Sequence, residues 1–496
     1  MARHEAAQLV VIGAGPGGYA AAFRAATRGM RVTLVDPEEH PGGVCLHRGC
    51  IPSKALLHAA RLIRDARDAA QLGLAFGEPR IDVDRLRAWK NEVVRRLTSG
   101  VGRLAQLHQV DMVRGRAAFV DSAHVRLIPR EGGERTLAFE HAIIATGSEP
   151  VRLREQPESP RILDSTGALD LPDVPRSLLV VGGGYIGLEL GSVYAALGSR
   201  VSVVEMTASL LPGVDRDLVT ILARSVQPLF AEILLETTVT GMRADEEGVE
   251  VRFVRTGASA STGASTSTGT GTGVSTGEAQ RAERYERVLV AVGRRPLSRG
   301  ADLEKTRVRL DDHGFIAVDP QRRTHDPRIF AIGDIAGQPL LAHKATHEGL
   351  AAVDAIGGAR TVFEPRAIPA VVYTDPEVAW CGLTESEARA SGREIAVARY
   401  PWAASGRAIT LARTDGMTKV IAEPGGGRIL GVGIVGPGAG ELISEAALAI
   451  EMSAVAGDLR AVIHPHPTLS ETLMEAADLL MGESTHFFAG RGPKRA

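Results

Sequence analysis

Apolar residues open the chain in short runs that alternate with glycines and with a helical pattern. Residues 9–12 (Leu-Val-Val-Ile) predict a buried parallel strand, residues 19–29 a helix, and residues 31–35 a second strand that ends at Asp36. The turn between the first strand and the helix is Gly13-Ala14-Gly15-Pro16-Gly17-Gly18. A strand, a glycine-rich turn, a helix and a strand that ends in an acid are typical of a dinucleotide-binding βαβ unit.

The same pattern returns about 170 residues later. Residues 178–181 predict a strand, Gly182-Gly183-Gly184-Tyr185-Ile186-Gly187 a turn, the segment up to Leu197 a helix, and residues 200–204 a strand that ends at Glu205. Two such motifs predict two separate nucleotide sites, so that the chain repeats one function internally.

The glycines and the acids of the two motifs have different expected roles. Glycines let the backbone approach a pyrophosphate, which lies on the N-terminus of the following helix. We expect Asp36 to bind ribose hydroxyls in the first site and Glu205 to bind the ribose 2′-OH in the second. An acid repels a 2′-phosphate, and Met206 and Thr207 follow Glu205 where an Arg could accept one. The second nucleotide is therefore predicted to be NAD rather than NADP.

Two later strands could bring the chain back to the first nucleotide. An apolar run at residues 142–145 ends in Thr146-Gly147-Ser148, and another at residues 329–333 ends at Asp334. The Thr-Gly-Ser turn either reaches the nucleotide or is a plain exit from a strand. Asp334 either binds a sugar or ribityl hydroxyl or stands in a surface turn. The pattern also predicts helices at 84–109 and 340–357 and strands at 112–120 and 124–129.

A low-complexity segment interrupts the second nucleotide unit. Residues 256–277 are almost wholly Gly, Ser, Thr and Ala, which cannot bury a core and predict a flexible surface insertion. Predicted strands at 248–255 and 285–292 flank it, so we expect it to cap a hairpin. The part from about residue 363 mixes strands with helices, contains no nucleotide motif, and predicts an α+β unit. Its predicted strands are 370–373, 419–422 and 429–435, and its predicted helices are 441–456 and 468–481.

Bulk composition narrows the class of protein. At 496 residues the chain is too long for one core, and 44% hydrophobic with 23% charged residues describe an ordinary globular protein. The net charge of −2, from 57 basic and 59 acidic residues, gives no argument for nucleic acid or an anionic membrane. The sequence offers no apolar run long enough to cross a bilayer. Three cysteines and no apparent signal peptide predict a cytoplasmic protein.

Two of the three cysteines, Cys45 and Cys50, lie close together in the Gly-rich segment 42–54, ahead of a predicted helix at 55–70. Such a pair is a structural disulfide, half of a zinc site, or a redox-active pair. So short a disulfide loop would remove little unfolded-state entropy, and Cys381 is too isolated to complete a zinc site. A helix N-terminus lowers a thiol pKa, which suits a working thiolate. The residues favour the redox interpretation and leave the others open.

A second group with possible chemistry lies near the end of the chain, at residues 463–471. His466 stands five residues before Glu471, and Thr468 or Ser470 could cap the helix that follows. A carboxylate oriented toward an imidazole raises its basicity, as a general base requires. The alternative is an ordinary His-Pro-His turn.

Taken together, these segments resemble the dihydrolipoamide dehydrogenase family of flavin disulfide oxidoreductases over essentially the whole chain. The resemblance implies an α/β fold with two Rossmann-like dinucleotide-binding domains, for FAD and NAD, and a C-terminal α+β dimerisation domain. The implied boundaries are 1–150 and 294–362 for the FAD-binding parts, 151–293 for the NAD-binding domain and 363–496 for the dimerisation domain. The segments that carry the resemblance are 13–18, 45–54, 145–148, 182–189 with Glu205, 331–334 and 466–471.

The resemblance also implies the cofactor contacts. One FAD per subunit would be held tightly and without a covalent bond, and NAD+/NADH would bind at the second site. The implied flavin contacts are Gly13, Gly15, Gly18, Asp36, Lys54, Gly115, Thr146, Gly147, Ser148, Asp334, Leu340, Leu341, Ala342 and His343. The implied NAD contacts are Gly182, Gly184, Gly187, Glu189, Glu205, Val239 and Gly293. No metal is expected.

The implied activity is oxidation of dihydrolipoamide. His466, held by Glu471, would remove a proton from one substrate thiol, and the thiolate would attack Cys45 of an oxidised Cys45–Cys50 bridge. Cys50 would lie nearer the flavin, with Lys54 close to the flavin N5. The family places the base across a two-fold interface, which implies an obligate homodimer. The implied partner is a lipoylated protein of a 2-oxo acid dehydrogenase or glycine cleavage complex, with no nucleic acid and no membrane.

Some residues depart from the family pattern. His47-Arg48 stand where the family usually has Asn-Val, and they could lower the thiol pKa or alter the fit of the substrate. Asp36 stands where Glu is common. The alternative function is that of a related reductase: Glu205 argues against the NADPH that glutathione reductase uses, and the C-terminal cysteine pair of mercuric reductase is missing. A non-catalytic component of a complex is the alternative of another class, and the complete set of redox residues disfavours it.

Overall fold

The computed structural model describes residues 6–255 and 280–488. The predicted insertion at 256–277 lies outside the described residues. The elements up to residue 150 are β1 (Ala6–Ile12), α1 (Pro16–Thr27), β2 (Val32–Asp36), α2 (Gly43–Arg48), α3 (Cys50–Asp68), α4 (Val83–Leu107), β3 (Asp111–Phe119), β4 (His124–Pro129), β5 (Arg135–Ile144) and β6 (Ser148–Pro150).

The next elements are β7 (Ile162–Leu163), α5 (Ser165–Leu169), β8 (Ser177–Val181), α6 (Tyr185–Leu197), β9 (Arg200–Val204), α7 (Arg216–Val226), β10 (Glu232–Leu234), β11 (Thr237–Ala244), β12 (Val249–Arg255), β13 (Gln280–Tyr285), β14 (Arg287–Val290) and β15 (Arg294–Pro296). The last are β16 (Ile329–Ala331), α8 (Ala342–Ile356), β17 (Ala370–Val372), β18 (Glu377–Gly382), α9 (Glu385–Ser391), β19 (Ala396–Pro401), α10 (Gly406–Thr410), β20 (Met417–Ala422), β21 (Ile429–Gly436), α11 (Ala439–Glu451), α12 (Ala456–Ala461) and α13 (Glu471–Met481).

The first sheet is parallel in the order β3-β2-β1-β5-β16. Its strands are apolar runs because both faces are covered, and Leu9, Leu34 and Ile143 are fully buried. β3 and β5 continue beyond this sheet and pair with β4 as an antiparallel meander. The carboxyl ends of the parallel strands meet at one edge, where a doubly wound sheet binds its ligand.

The second sheet repeats this plan in the order β10-β9-β8-β14-β7, with a separate antiparallel sheet β11-β12-β13 beside it. The predicted hairpin forms, but its second strand is β13, and the apolar residues of β14 belong to the parallel sheet instead. The sequence of β13 (Gln-Arg-Ala-Glu-Arg-Tyr) is mostly polar, so its hydrophobic pattern gives no strand signal.

The C-terminal part is the expected α+β unit, with the antiparallel sheet β17-β18-β21-β20-β19. Helix α11 packs on β18 and β21, and α13 packs on β19 and β20. The core between them contains fully buried Trp402 and Ile434. Two Rossmann-like units and an α+β unit together confirm the predicted fold class.

Helix α3 packs where the three units meet. Its Leu56 and Ala60 share one apolar cluster with Val180 of the second sheet and with Val378 and Val435 of the C-terminal sheet. The helix begins at Cys50, five residues before the predicted start at residue 55. Pro52 does not prevent this, because the first turn of a helix has no intrahelical partner for its N–H groups. The junction therefore fixes Cys50 at a helix N-terminus.

A buried ionic cluster also joins the second unit to the C-terminal unit. Lys419 is 1% exposed, and its Nζ lies 2.6 Å from Asp215, 2.8 Å from Asp217 and 3.1 Å from Glu385. The three carboxylates lie close enough together to hold a metal ion. The ammonium group of Lys419 already lies among them and offsets part of their charge.

Among the described helices, none combines the length and the apolar content that a membrane span needs.

Candidate active site

A cavity of about 610 Å³ opens at the carboxyl edge of the first sheet. Its volume lies in the range of cofactor sites. The predicted site residues that line it are Gly13, Gly15, Gly18, Asp36, Cys45, Cys50, Lys54, Gly115, Thr146, Gly147, Ser148, Glu189, Asp334, Leu340 and Ala342. Residues 130 or more positions apart in the chain therefore share one wall.

The first glycine turn forms a cradle that side chains would fill. Gly13 has a φ of +102°, and a Cβ there would lie 2.3 Å from the carbonyl oxygen of Ala145. A Cβ on Gly18 would lie 1.9 Å from the carbonyl oxygen of Gly13. At Gly15 a Cβ would meet no atom nearer than 3.9 Å, so the middle of the turn stays open for a ligand. This geometry fits a pyrophosphate on the N-terminus of α1.

The second glycine turn has the same geometry. A Cβ on Gly182 would lie 2.4 Å from the carbonyl oxygen of Ala291, and one on Gly187 would lie 2.1 Å from that of Gly182. At Gly184 a Cβ would have no described atom within 4 Å. The second turn therefore offers the same open approach to a dinucleotide.

The two acids that follow these turns bind them in the same way. The Asp36 carboxylate accepts the N–H of Ala14 at 2.6 Å, and that of Glu205 accepts the N–H of Gly183 at 2.8 Å. Each carboxylate also accepts the backbone N–H of the residue two positions further along the chain, which is Glu38 for Asp36 and Thr207 for Glu205. Burial raises the pKa of Asp36. Each acid therefore lies at the end of its strand beside a glycine turn, where a ribose is expected.

Ser148 and Asp334 meet at the cavity wall. The Ser148 hydroxyl donates to Asp334 Oδ2 at 2.5 Å and accepts from Arg294 Nε at 2.8 Å. Thr146 Oγ1 donates to the carbonyl of Leu297 at 2.9 Å. The turn at 146–148 and Asp334 thus lie together on the cavity, as a flavin site requires, and not apart on the outer surface.

Lys54 binds Glu189 of the second unit. Lys54 Nζ lies 2.8 Å from Glu189 Oε2 and 4.5 Å from the centroid of the Tyr373 ring. The Glu189 carboxylate also accepts from Ser53 Oγ at 2.8 Å and from the Tyr373 N–H at 3.0 Å. The structure therefore places Glu189, a predicted NAD contact, beside the predicted flavin contact Lys54, where all three units meet.

The two cysteines occupy different environments. Both are thiols in the structure: Cys45 is half-buried within α2, and Cys50, the first residue of α3, is exposed. The hydrogen bond from the Cys45 thiol lowers the pKa of Cys50, and the charge of Lys54 lowers it further against the effect of burial. The same bond raises the pKa of Cys45. These interactions favour the thiolate form at Cys50 over Cys45.

His47 and Arg48 are bound to the segment after β2. His47 Nε2 lies 3.0 Å from the carbonyl oxygen of His40, and Arg48 forms an ion pair with Glu38. Arg48 also lines the cavity. Both side chains therefore bind the segment that follows β2. The basic charge that lowers the pKa of Cys50 is that of Lys54.

His466 and Glu471 form the expected pair. His466 Nδ1 lies 2.9 Å from Glu471 Oε1, and the Thr468 N–H donates to Glu471 Oε2 at 2.7 Å. Burial would raise the pKa of Glu471, but these bonds outweigh it and lower the pKa. With Nδ1 held by the carboxylate, proton exchange falls to Nε2. The His466 side chain is 72% exposed and lies away from the cavity lining.

The prediction of a side-chain cap before α13 is wrong. Ser470 occupies the N-cap position but makes no capping bond, and the Thr468 hydroxyl donates to the carbonyl of Pro465. The carboxylate of Glu471 binds the Thr468 N–H itself, and this bond orients it toward His466.

The remaining predicted contacts lie outside the large cavity. Val239 lines a second cavity of about 370 Å³ with residues 153–156 and 240–242. Gly293 follows β14 with a φ of +116°. Leu341 is the N-cap residue of α8, and His343 Nε2 lies 2.8 Å from the carbonyl oxygen of Pro369. Burial lowers the pKa of His343.

Three residues of this region are not among the predicted site residues. Tyr185 lines the cavity, and burial raises its pKa to about 12. Its place within the second glycine turn was a usable signal. Arg294, which holds Ser148, follows directly after the predicted contact Gly293. Tyr373 gave no signal, because its neighbour Lys54 is more than 300 residues away in the chain.

Comparisons with known proteins agree with this geometry. Residues 7–349 match the pyridine nucleotide-disulphide oxidoreductase family, and residues 368–477 match the dimerisation domain of that family. The chain is 44% identical over 496 residues to the dihydrolipoyl dehydrogenase of Vibrio cholerae, covering 100% of both chains. It is 46% identical over 486 residues to that of Vibrio parahaemolyticus, covering 98% of each.

Two solved structures are similar to this chain over nearly its whole length. LpdA from Mycobacterium tuberculosis superposes with a TM-score of 0.85 at 26% identity, covering 95% of this chain and 99% of that one. The flavoprotein disulfide reductase RclA from Escherichia coli superposes with a TM-score of 0.82 at 28% identity, covering 96% and 100%. The chain belongs to the pyridine nucleotide-disulphide oxidoreductase family, with its dimerisation domain, and its curated relatives are dihydrolipoyl dehydrogenases.

Proposed function

We propose that this protein is a flavin-dependent dihydrolipoyl dehydrogenase, which oxidises protein-bound dihydrolipoamide to lipoamide and reduces NAD+ to NADH. The observation that carries the proposal is the pair Cys45 and Cys50, which lie at the wall of the large cavity, Cys45 within α2 and Cys50 at the N-terminus of α3. Full-length relatives of that name, 44% and 46% identical, support it.

The two glycine turns assign the cofactors. FAD fits the large cavity, where the first turn, Asp36 and the Ser148–Asp334 pair lie on one wall. NAD fits the second turn, where Glu205 receives a ribose and disfavours a 2′-phosphate. Bound FAD supplies a two-electron acceptor between the cysteine pair and the nicotinamide. Lys54, fixed by Glu189, lines the same cavity as Cys50, and its positive charge would stabilise anionic charge on a bound flavin.

The protein residues then perform the thiol chemistry. His466 Nε2 removes a proton from one thiol of dihydrolipoamide, and the thiolate attacks Cys45 Sγ of the oxidised pair. The Cys45–Cys50 bond breaks, and Cys50 leaves as a thiolate, which the positive charge of Lys54 favours. The second substrate thiol attacks the substrate sulfur bound to Cys45, and its proton passes to the departing Cys45 Sγ. Lipoamide closes its S–S bond, Cys45 leaves as a thiol, and the two electrons of the substrate reside on the cysteine pair.

We also propose that the base acts across a homodimer interface. The dimerisation domain supports a homodimer. His466 is 72% exposed and lies apart from the residues that line the cavity of its own chain. A partner subunit in a two-fold dimer would bring its own pair of these residues to the cysteines. The donor of the two electrons would be the dihydrolipoyl group of a lipoylated protein of a 2-oxo acid dehydrogenase or glycine cleavage complex.

The proposed domain boundaries stay those of the sequence: 1–150 and 294–362 for FAD, 151–293 for NAD and 363–496 for dimerisation. The cytoplasmic location also stays a prediction. The alternative function is that of a reductase acting on glutathione or on a metal substrate. Glu205 disfavours it, and so do the relatives from Vibrio cholerae, Vibrio parahaemolyticus and Haemophilus influenzae, which are named dihydrolipoyl dehydrogenase.

Steady-state reduction of NAD+ and of NADP+ by the purified yellow protein, with dihydrolipoamide as donor, tests the proposal. We expect rapid reduction of NAD+ and little reduction of NADP+. A flavin-containing protein that NADH reduces but that does not turn over dihydrolipoamide would refute the substrate while keeping the cofactors. Glutathione disulfide, assayed in parallel with NADPH, serves as the control substrate for the alternative.

A further inference from the structure

A buried ionic group beside the cavity takes no part in the proposed mechanism. Glu348, the seventh residue of α8, is 0% exposed. Its Oε1 accepts from Arg322 Nη1 at 2.7 Å, and its Oε2 accepts from the Gly333 N–H at 2.6 Å and from Lys344 Nζ at 3.2 Å. A fully buried carboxylate is stable only when cations and hydrogen bonds compensate it, and these three donors do so.

The donor Gly333 lies in the turn that carries Asp334. Gly333 has a φ of +75° and begins a short 3₁₀ helix at residues 333–336. Lys344 donates to the carbonyl oxygens at both ends of this turn, at 3.3 Å to Gly333 and at 2.9 Å to Gly337. Helix α8 therefore holds the turn by its N–H through Glu348 and by two carbonyls through Lys344.

The turn passes this constraint to the cavity wall. Asp334 follows Gly333 directly, lines the cavity and accepts the Ser148 hydroxyl at 2.5 Å. Ser148 is fixed in turn by Arg294. Two hydrogen bonds, joined by the Gly333–Asp334 peptide, therefore connect the buried Glu348 to Ser148 and Asp334, which line the cavity.

We infer that Glu348 is a positioning residue for the flavin. It holds the Gly333–Asp334 backbone in place and thereby sets the affinity for FAD, although its carboxylate lies behind the cavity wall and touches no ligand. The inference rests on the proposed binding of FAD in the large cavity.

A role of Glu348 in positioning and a role through its charge predict opposite effects of Glu348→Gln on the affinity for FAD. Arg322, Lys344 and Glu348 carry a net charge of +1, and Glu348→Gln raises it to +2. If Glu348 acted through its charge, the change would strengthen the attraction for the anionic pyrophosphate of FAD. If it acts by position, the change weakens binding, because a Gln side chain has one acceptor oxygen for three donors.

The test is the dissociation constant for FAD, measured by quenching of flavin fluorescence when FAD is added to flavin-free protein. We expect Glu348→Gln to raise this constant at least about tenfold, the effect of losing a charged hydrogen bond to the turn. Glu348→Asp keeps the charge but is one methylene shorter, so we expect it to weaken binding several-fold as well. The visible circular dichroism of the bound flavin should change in both variants, because its wall has moved.

The matched control is Glu423→Gln, which removes a carboxylate that also pairs with two arginines but belongs to the C-terminal unit. We expect wild-type affinity for it. Wild-type affinity or tighter binding in the Glu348 variants overturns the inference. If Glu348→Gln does not fold, Glu348→Asp still tests the inference. That variant keeps the charge, so a role through charge predicts unchanged affinity for FAD and a role in positioning predicts weaker affinity. A wild-type protein that binds no FAD would instead refute the proposed function, and the inference with it.

Discussion

Substitution of Lys419 by Met should destabilise the junction between the second unit and the C-terminal unit. Lys419 Nζ lies within 3.1 Å of three carboxylates and is 1% exposed. Methionine has a similar volume and fills the same space, so little of the effect would come from a cavity. What changes is the charge: three acids lose their shared cation in a place that water barely reaches.

The magnitude follows from which acid is left without a cation. Arg399 still pairs with Asp217 at 2.7 Å and with Glu385. Asp215 is 7% exposed and keeps only backbone N–H donors from Glu385 at 3.1 Å and Ser386 at 3.3 Å, with a Ser386 hydroxyl beside them. An uncompensated buried charge costs about 3–5 kcal/mol. Because Asp215 retains those hydrogen bonds, we expect a loss near the lower end, about 3 kcal/mol.

Differential scanning calorimetry of the holoenzyme would measure this loss. A multidomain flavoprotein does not unfold in two states, so the melting temperature of the affected transition is the useful quantity. We expect it to fall by about 5 °C or more. Arg393→Met, which breaks the exposed pair with Glu423, is the matched control and should change the melting temperature by at most about 2 °C.

The double variant Lys419→Met with Asp215→Asn isolates the cause. It removes the stranded charge together with the cation, so it should recover most of the lost stability. If Lys419→Met melts within 1 °C or so of the wild type, or if Asp215→Asn gives no recovery, the reasoning about uncompensated charge is refuted.

Three further predictions concern the chemistry. His466→Gln should lower kcat with dihydrolipoamide by about 100-fold or more while the flavin stays bound, and unchanged turnover would remove His466 from the role of base. In Cys45→Ser, the absorption band between the Cys50 thiolate and the flavin should persist at neutral pH. It should fade as the pH falls through the lowered pKa of Cys50, and in Cys45→Ala, which has no donor, its midpoint should move to higher pH. Gly187→Ala places a Cβ 2.1 Å from the Gly182 carbonyl oxygen, so it should abolish reduction of the flavin by NADH but not by dihydrolipoamide, and equal loss with both donors would contradict separate sites.

The sequence predicted what depends on short segments of chain. Both βαβ units, the cysteine pair at a helix start and the His466–Glu471 pair each occupy fewer than 40 consecutive residues, and local pattern and turn chemistry determine them. The predicted start of α3 is five residues late, and Pro52 lies in the first helical turn, which tolerates proline. The strand β13 was misplaced because its residues are polar.

The sequence did not predict which distant side chains meet. The family resemblance implies that Glu189 contacts NAD, and the structure shows its carboxylate bound to Lys54, 135 residues away. The buried partners of Glu348 and Lys419 have no pattern of their own, because a charged residue at a helical or strand position usually faces water. Packing of the three units around α3 brings Lys54 and Glu189 together, and contact between the second and the C-terminal unit forms the Lys419 cluster.

The two nucleotide sites have the same local geometry but different surroundings. In both turns the first and third glycines abut backbone carbonyls, and a following acid accepts an N–H from the turn. The first turn faces a cavity that Gly115, Lys54, Glu189 and Asp334 also line, so residues from both units enclose its ligand. Gly182, Gly184, Gly187, Glu205 and Gly293 do not line that cavity. A ligand enclosed on several sides exchanges slowly, and a more exposed ligand exchanges quickly. We therefore expect the walls around the first turn, and not the turn itself, to retain FAD through many turnovers.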